Sequence, residues 1–309
     1  MNAAMEKTIL LIHGRGFHPP EKETRDLWLA ALRHGIERDH PAKLAAFDAA
    51  AKKLSYFGDI SNAFLAGTPK RPEPLDGGDL RQTLNDLKQY GPSDFNRKSY
   101  RRLPGRDVWK RELADTFAGT LYRLGISENV ISSLAPDMAH YWNTDTAFGS
   151  DVRFPMIDPL KQALLKGPVL VVSHSLGSMI AYDTFWKFTH QGEYRPQCCH
   201  KAVDRWITLG SPLADPTVRA KLKGARVNGP RRYPHNVNEW VNISAKDDFI
   251  AYRPKVARDY REMLKLKLTR RITDVQIENL AVSRGKSDPH HALGYLIHPA
   301  TAAAVAEWL

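Results

Sequence analysis

The segment from Gly167 to Phe188 constrains the fold of this chain more than any other stretch of the sequence. It opens with a Gly-Pro turn signal, which four consecutive branched apolar residues follow, Val169–Val172. Such a short, bounded and β-prone run predicts a strand that is buried on both faces. A tight cluster of small residues comes next, and then a helix-compatible segment, Met179–Phe188. The segment therefore predicts a strand, a sharp turn and a helix in direct succession.

The predicted turn reads Ser-His-Ser-Leu-Gly and has Ser175 at its apex. A G-x-S-x-G-like turn between a strand and a helix is a context that presents a serine nucleophile. The residues two positions before and after the apex must be small, and Ser173 and Gly177 satisfy this requirement. We expect the amide of Leu176, at the start of the helix, to stabilise an oxyanion, because unpaired N–H groups and the helix dipole favour negative charge there. The alternative interpretation is a plain small-residue turn.

This segment resembles the nucleophile elbow of the α/β-hydrolase superfamily, particularly its lipase- and esterase-like branches, in which HSLG is common. The first position of that motif is usually glycine, whereas this chain has Ser173. Apart from residues 59–105, the resemblance extends from Thr8 to Leu309, and it implies one α/β domain over residues 1–309. Its expected architecture is a doubly wound, mostly parallel sheet with helices on both faces, interrupted by an inserted lid or cap.

The composition fits such a domain, because 42% of the 309 residues are hydrophobic. No apolar run approaches the roughly 20 residues needed to span a bilayer, and the N-terminus does not resemble a cleavable leader. We therefore expect a cytoplasmic protein.

The two cysteines, Cys198 and Cys199, are adjacent, and a disulfide bond between neighbouring residues is strained, so they do not form a disulfide framework. No Cys/His spacing predicts a zinc site.

The chain is strongly basic, with 45 Lys and Arg against 34 Asp and Glu, a formal net charge of +11. The basic residues concentrate at 97–111, 219–232 and 253–271. Such charge is typical of proteins that bind nucleic acid, an anionic membrane surface or an acidic substrate, and also of a merely solvated surface. Because no nucleic-acid module accompanies the charge, we expect no nucleic-acid partner. The charge is compatible with an anionic substrate or a membrane surface as a partner.

The first predicted strand, Thr8–Ile12, continues into the turn His-Gly-Arg-Gly at positions 13–16. This segment resembles the HG-containing strand of α/β-hydrolases. In that family, the residue after the glycine donates its backbone N–H to the oxyanion hole. The resemblance assigns this role to Arg15, as the partner of Leu176. The alternative is an ordinary turn whose glycines only relieve steric crowding.

Residues 59–105 are repeatedly interrupted by proline and glycine and hold one predicted helix, near Leu80–Tyr90. The segment is too long for an ordinary connection, so we predict an inserted lid or cap, or else a surface excursion without a role. Further helices are predicted over 109–124 and 134–142. Asp137 and His140 fall near each other on the second helix, but two residues do not make a metal site.

Beyond the nucleophile helix, the segment ITLGSPL at 207–213 resembles the next strand of lipase-like α/β-hydrolases. Another strand, Glu239–Ser244, precedes two acidic residues. The family places an acid that orients the histidine in such a loop, commonly as Asp-x-Val or Asp-x-Ile, and Asp248-Phe249-Ile250 fits that pattern. The neighbouring Asp247 is the fallback, and an Asp pair that merely caps a turn is the alternative.

The last predicted strand, 275–282, leads into a loop with two adjacent histidines and then a helix over 299–309. The family places its catalytic histidine in this loop. We favour His291, because family members often have a histidine a few residues before an aromatic residue, here Tyr295. His290 stays open. The chain order Ser, Asp, His is characteristic of the fold.

The leading hypothesis is a serine hydrolase that cleaves a small-molecule or lipid carboxylic ester through an acyl-enzyme. Ser175 is the expected nucleophile, His291 the base and Asp248 the orienting acid. The amides of Arg15 and Leu176 are the expected oxyanion donors, and no metal or organic cofactor is required. An acyltransferase would use the same residues with another acceptor. The hypothesis from a different class is a non-catalytic binding protein on a hydrolase scaffold.

Overall fold

Six parallel strands form the central sheet of the computed structural model, which describes residues 6–67, 77–106, 136–194, 201–251 and 255–309. The strand order across the sheet is β2-β1-β3-β4-β5-β6. A two-stranded antiparallel hairpin, β7 (Val282–Ser283) and β8 (Lys286–Ser287), follows the sheet along the chain. The sheet strands are β1 (Thr8–Ile12), β2 (Ala51–Ser55), β3 (Val169–His174), β4 (Val203–Leu209), β5 (Val237–Ala245) and β6 (Arg271–Ile277).

The centre of the sheet lies where β1 and β3 pair in parallel, with Ile12 opposite Ser173. Every residue of these two strands is buried, as their runs of branched apolar side chains predict. The strand order reverses here, because β2 lies outside β1 while β4, β5 and β6 follow on the other side of β3. In open parallel sheets such a switch point, at the carboxyl ends of the strands, forms a crevice. The turns after β1 and β3 therefore lie side by side.

Helices cover both faces of the sheet. One face packs on helices Phe154–Lys166 and Leu176–His190, with Trp206 and Trp240 in the same core. The other face packs on helices Glu21–Asp39 and Pro299–Trp308. The remaining α-helices described are Leu44–Ala49, Gly58–Ala66, Gly77–Leu87, Arg97–Tyr100, Pro136–Tyr141, Phe148–Asp151, Pro216–Lys221, Val256–Asp259, Arg261–Lys265 and Ala292–Leu296. Short 3-10 helices span Pro41–Lys43, Pro92–Asp94 and Gly229–Arg232.

The predicted α/β architecture with a parallel sheet and helices on both faces is confirmed. The predicted last strand is wrong in extent, because β6 ends at Ile277 and residues 282–283 belong to the hairpin. The helix predicted over 109–124 lies outside the described residues, as do Cys198 and Cys199. Among the helices that the structure describes, none is long and apolar enough to cross a membrane.

Candidate active site

Ser175 connects β3 to helix Leu176–His190 in a backbone conformation that is rare for a side-chain-bearing residue, with φ 52° and ψ −124°. Such a conformation costs on the order of 1–3 kcal/mol and persists only where the surroundings impose it. Two glycines allow the close packing around it. A Cβ on Gly177 would lie 2.3 Å from the carbonyl oxygen of His13, and one on Gly14 would lie 2.9 Å from Ser175 Cβ. The sharp turn predicted at this position is therefore present.

A hydrogen-bonded chain runs from Ser175 through His290 to Asp248. Ser175 Oγ lies 2.9 Å from His290 Nε2, and His290 Nδ1 lies 2.8 Å from Asp248 Oδ2. A carboxylate only accepts hydrogen bonds, so Nδ1 carries the proton. The Nε2 atom of the neutral ring is then an acceptor and faces the hydroxyl of Ser175. This tautomer is the one that can take a proton from the serine.

Asp248 lies three residues beyond the end of β5 and is 1% exposed. Its Oδ1 accepts the backbone N–H groups of Ile250 at 2.8 Å and Ala251 at 3.3 Å. Its Oδ2 accepts the Tyr295 hydroxyl at 2.6 Å, in addition to the ring of His290. The fallback residue, Asp247, instead forms an ion pair with Arg97. Of the two acids, the structure therefore brings Asp248 to the histidine.

The preference for His291 needs correction, because the ring next to Ser175 belongs to His290. His291 Nδ1 accepts the backbone N–H of Leu293 at 3.3 Å and so caps helix Ala292–Leu296. Burial lowers the pKa of the His291 imidazole. Asn279 fixes the loop, since its Nδ2 donates to the carbonyl oxygens of both Pro289 and His291 at 3.0 Å. The residues on either side of His290 are thus held in place.

The turn that carries Arg15 is held by a buried carboxylate. Asp137 is fully buried, and its Oδ2 accepts the backbone N–H of Gly16 at 3.1 Å. Its Oδ1 lies 2.9 Å from Arg15 Nε. The sequence interpretation gave Asp137 no role. Its contacts with the turn link residues 121 and 122 positions apart, so no local pattern could have revealed them.

Two imidazoles also contact this turn. The rings of His13 and His18 lie 2.9 Å and 3.1 Å from the carbonyl oxygen of Gly14. Burial lowers the pKa of His13 well below its usual value and lowers that of His18 to about 4. Both rings are therefore neutral at pH 7 and donate one N–H to that oxygen. Leu176, the other expected oxyanion donor, is the first residue of its helix, where the N–H has no intrahelical acceptor.

His174, directly before Ser175, is also part of the cluster. Its Nε2 donates to the carbonyl oxygen of His290 at 2.8 Å. Burial, together with the neighbouring His290, lowers the pKa of His174 well below its usual value. A neutral His174 thus ties the serine turn to the histidine loop. The sequence does not predict this contact between His174 and His290, because the two residues are 116 positions apart.

Ser173 occupies the first position of the predicted turn motif, and its side chain has buried hydrogen-bond partners. Its hydroxyl accepts the indole N–H of Trp206 at 2.9 Å and lies 3.1 Å from the hydroxyl of Ser178. Buried polar groups of this kind are stable because they are hydrogen-bonded. The departure from glycine therefore has a structural reason.

A cavity of about 220 Å³ borders the site. Arg15, His18 and His290 contribute polar groups, while apolar residues including Trp28, Leu80 and Leu293 form much of the remaining wall. Ser175 itself is 0% exposed, whereas the side chain of His290 is 13% exposed. A pocket with apolar walls and a few convergent polar groups is typical of a small-molecule site.

The described residues contain no group of three or more His, Cys, Asp or Glu side chains arranged to hold a metal ion. Comparisons with models of known protein families, with curated proteins and with solved structures found no match to this chain. The geometry of the site itself is therefore the basis for a functional assignment.

Proposed function

We propose that this protein is a serine hydrolase of the α/β-hydrolase type that cleaves a carboxylic ester. The observation that carries the proposal is the chain of hydrogen bonds from Ser175 through His290 to Asp248, at 2.9 Å and 2.8 Å. Its members come from three separate regions of the sequence and meet at the carboxyl edge of a parallel sheet. A positive φ at the serine adds support, because backbone strain concentrates at functional sites.

In the proposed reaction, His290 Nε2 takes the proton of Ser175 as the hydroxyl attacks the ester carbonyl. The backbone N–H groups of Arg15 and Leu176 stabilise the oxyanion, a contribution of about 2.7–4 kcal/mol where one such donor has been removed from an enzyme. His290 then protonates the leaving alcohol, which yields the acyl-enzyme. A water molecule repeats the sequence, releases the acid and restores the serine. Asp248 orients the imidazole and stabilises its charged form throughout.

The substrate is proposed to enter through the cavity that borders Arg15 and His290. Ser175 is fully buried, so the residues that cover it must move before an ester can reach its hydroxyl. Within the insertion, helix Gly77–Leu87 contributes Leu80 to the cavity wall. The hydroxyl of Thr83 fastens this helix to the carbonyl oxygen of Val282 at 2.9 Å. This helix is our candidate for the lid.

The test is covalent labelling with a small fluorophosphonate, which reacts with activated serines. We expect the folded wild type to be labelled and Ser175→Ala to be inert. His290→Ala should lose labelling by about 10²–10⁴-fold, because it removes the general base. The matched variant His291→Asn keeps a side chain that can cap helix Ala292–Leu296 and should be labelled like the wild type.

Equal labelling of Ser175→Ala and the wild type would refute the proposal. Loss of labelling in a folded His291→Asn, with His290→Ala unaffected, would return the role of the base to His291. Hydrolysis of ester series that differ in acyl length then defines the substrate, with Ser175→Ala as the blank.

A further inference from the structure

A second cavity, also of about 220 Å³, lies among residues that the candidate active site does not use. One wall is the end of helix Pro136–Tyr141 and the turn after it, including Trp142. Helix Leu176–His190 contributes Asp183, and Arg153 closes another side. The remaining wall is formed by Lys221 and Lys223. These two lysines belong to the basic segment 219–232, which takes no part in the proposed hydrolase reaction.

Cationic side chains outnumber acidic ones among the described residues that line this cavity. Arg153, Lys221 and Lys223 are the cations, and Asp183 is the acid that these described residues contribute. Lys187 lies close enough to interact with these charges. Burial lowers the pKa of its ammonium group and Arg153 and Lys223 lower it further, while Glu193 and Asp183 act in the opposite direction. Burial likewise lowers the pKa of Lys223, with Asp183 acting against it and Arg153 with it. A cavity lined by an excess of one charge concentrates counter-ions of the other sign.

Asp183 supplies at most one negative charge against these three cations, and neutral donors contact both of its oxygens. Its Oδ2 accepts the Tyr141 hydroxyl at 2.8 Å, and its Oδ1 accepts the backbone N–H of Lys223 at 2.8 Å. The nearest approach of Arg153 to its carboxylate is 4.0 Å. Burial also raises the pKa of Asp183, which reflects the cost of keeping its charge inside the protein.

Two buried N–H donors on residues that line the cavity have no hydrogen-bond partner in the described part of the chain, the indole Nε1 of Trp142 and Nε of Arg153. Buried N–H groups in folded proteins are nearly always paired, and an ion or ordered water is a common partner where no protein group is in reach. Because both atoms are buried, a small rotation of their side chains would be needed for an anion in the cavity, or a water bound to it, to supply the missing acceptors.

We propose that this cavity is a binding site for a phosphate group. A multiply charged oxyanion matches the combination of one guanidinium and two ammonium groups in its wall. The planar fork of Arg153 suits two oxygens of such an anion, while Lys221 and Lys223 supply compact point charges. The site is separate from Ser175 and does not depend on the proposed hydrolase activity.

The experiment is calorimetric titration of the full chain with inorganic phosphate at constant ionic strength. We expect one saturable site. Arg153→Gln and Lys223→Gln should each weaken binding by about tenfold or more, because each removes a charge-assisted contact. Lys98→Gln removes one charge from an exposed position on helix Arg97–Tyr100 and should bind phosphate like the wild type. Ser175→Ala should also bind like the wild type.

Absence of saturable binding by the folded wild type would overturn the proposal. Equal weakening in Lys98→Gln would also overturn it, since the effect would then reflect net charge alone. If Arg153→Gln fails to fold, as judged by circular dichroism, Lys223→Gln decides the matter, because that side chain is only partly buried. Competition by glycerol phosphate would show that the site accepts a phosphate monoester, and its absence would show that the site prefers the free ion; either result supports the site.

Discussion

The hydroxyl of Tyr295 donates to Oδ2 of Asp248 at 2.6 Å, the same oxygen that receives the ring N–H of His290. The Tyr295 hydroxyl also accepts the backbone N–H of Ala245, the last residue of β5, at 2.7 Å. Burial and the nearby carboxylate raise the pKa of Tyr295 well above its usual value, so the hydroxyl stays protonated and remains a donor. One phenol therefore fixes the acid relative to the end of its strand.

Replacement Tyr295→Phe should weaken both folding and reactivity. It leaves the Ala245 N–H buried without an acceptor and removes one donor from Asp248, a cost of about 1–3 kcal/mol in the free energy of unfolding. We expect urea denaturation to show that loss and fluorophosphonate labelling to slow. Tyr260→Phe is the matched control, because it removes a buried hydroxyl that donates to the carbonyl oxygen of Leu213 at 3.0 Å. The control should lose stability and keep its labelling rate; equal slowing in both variants would argue against a specific role for Tyr295.

Replacement Asp137→Asn should slow ester cleavage although Asp137 lies outside the proposed reaction. The amide has one acceptor oxygen in place of two, so either Gly16 N–H or Arg15 Nε loses its partner. We expect a displaced turn to lower kcat by about tenfold or more, with a smaller effect on KM.

The control for that measurement is Asp215→Asn. Asp215 is also a buried carboxylate, and it caps helix Pro216–Lys221 away from the proposed oxyanion turn. Asparagine caps helices about as well as aspartate, so kcat should stay at the wild-type value. An unchanged kcat in Asp137→Asn would show that the position of the turn does not depend on this carboxylate.

Replacement Gly210→Ala tests how closely the loop after β4 approaches the acid and the histidine. Gly210 has φ 55°, and a Cβ there would lie 2.9 Å from Asp248 Oδ2 and 3.2 Å from His290 Cε1. Gly229 has a similar φ of 65° with open space around it. Both alanine variants carry a backbone penalty of roughly 1–2 kcal/mol, and only Gly210→Ala should lose labelling. Equal labelling of the two variants would contradict the contact with the site.

Replacement His298→Asn should make the protein less sensitive to acid. Burial lowers the pKa of His298 to about 3, against about 6.5 in an unfolded chain. Between those values the unfolded chain binds a proton that the folded chain does not, so stability falls as the pH drops from 6.5 towards 3. At pH 5 this one group costs on the order of 2 kcal/mol.

Asparagine removes that titration and keeps a cap for helix Pro299–Trp308, where His298 Nδ1 accepts the N–H of Ala300 at 3.0 Å. The measurement is urea unfolding at pH 7 and pH 5. We expect the loss of unfolding free energy between the two pH values to be smaller in the variant by that amount. Parallel losses in the two proteins would mean that His298 takes up a proton equally in both states.

Local sequence signals predicted the parts of the fold that depend on local physics. The branched run Val169–Val172 and the small residues around Ser175 require a buried strand and a tight turn, and both are present. The same holds for the turn after β1 and for the position of Asp248 after β5. The short segments lie at strand ends, and parallel strands bring those ends to one edge.

The choice between His290 and His291 could not be made from local signals. Both residues occupy one loop, and a shift of a single residue exchanges them. Long-range contacts decide the matter, chiefly the two hydrogen bonds from the buried side chain of Asn279. The spacing of four residues from His291 to Tyr295 was misleading, because the Tyr295 hydroxyl contacts Asp248 and not a histidine. The contacts of Asp137 could not be predicted for the same reason, since its partners are remote in sequence.

The bond between Ser173 and the indole of Trp206 has a consequence for how this chain can vary. Trp206 is fully buried and stacks on Trp240 with ring centroids 4.4 Å apart, so its N–H cannot turn to solvent. A glycine at position 173 would leave that N–H without its acceptor, at a cost of about 1–3 kcal/mol. Positions 173 and 206 therefore form a pair that we expect to have co-evolved, with glycine at the first accompanied by a residue without a buried donor at the second.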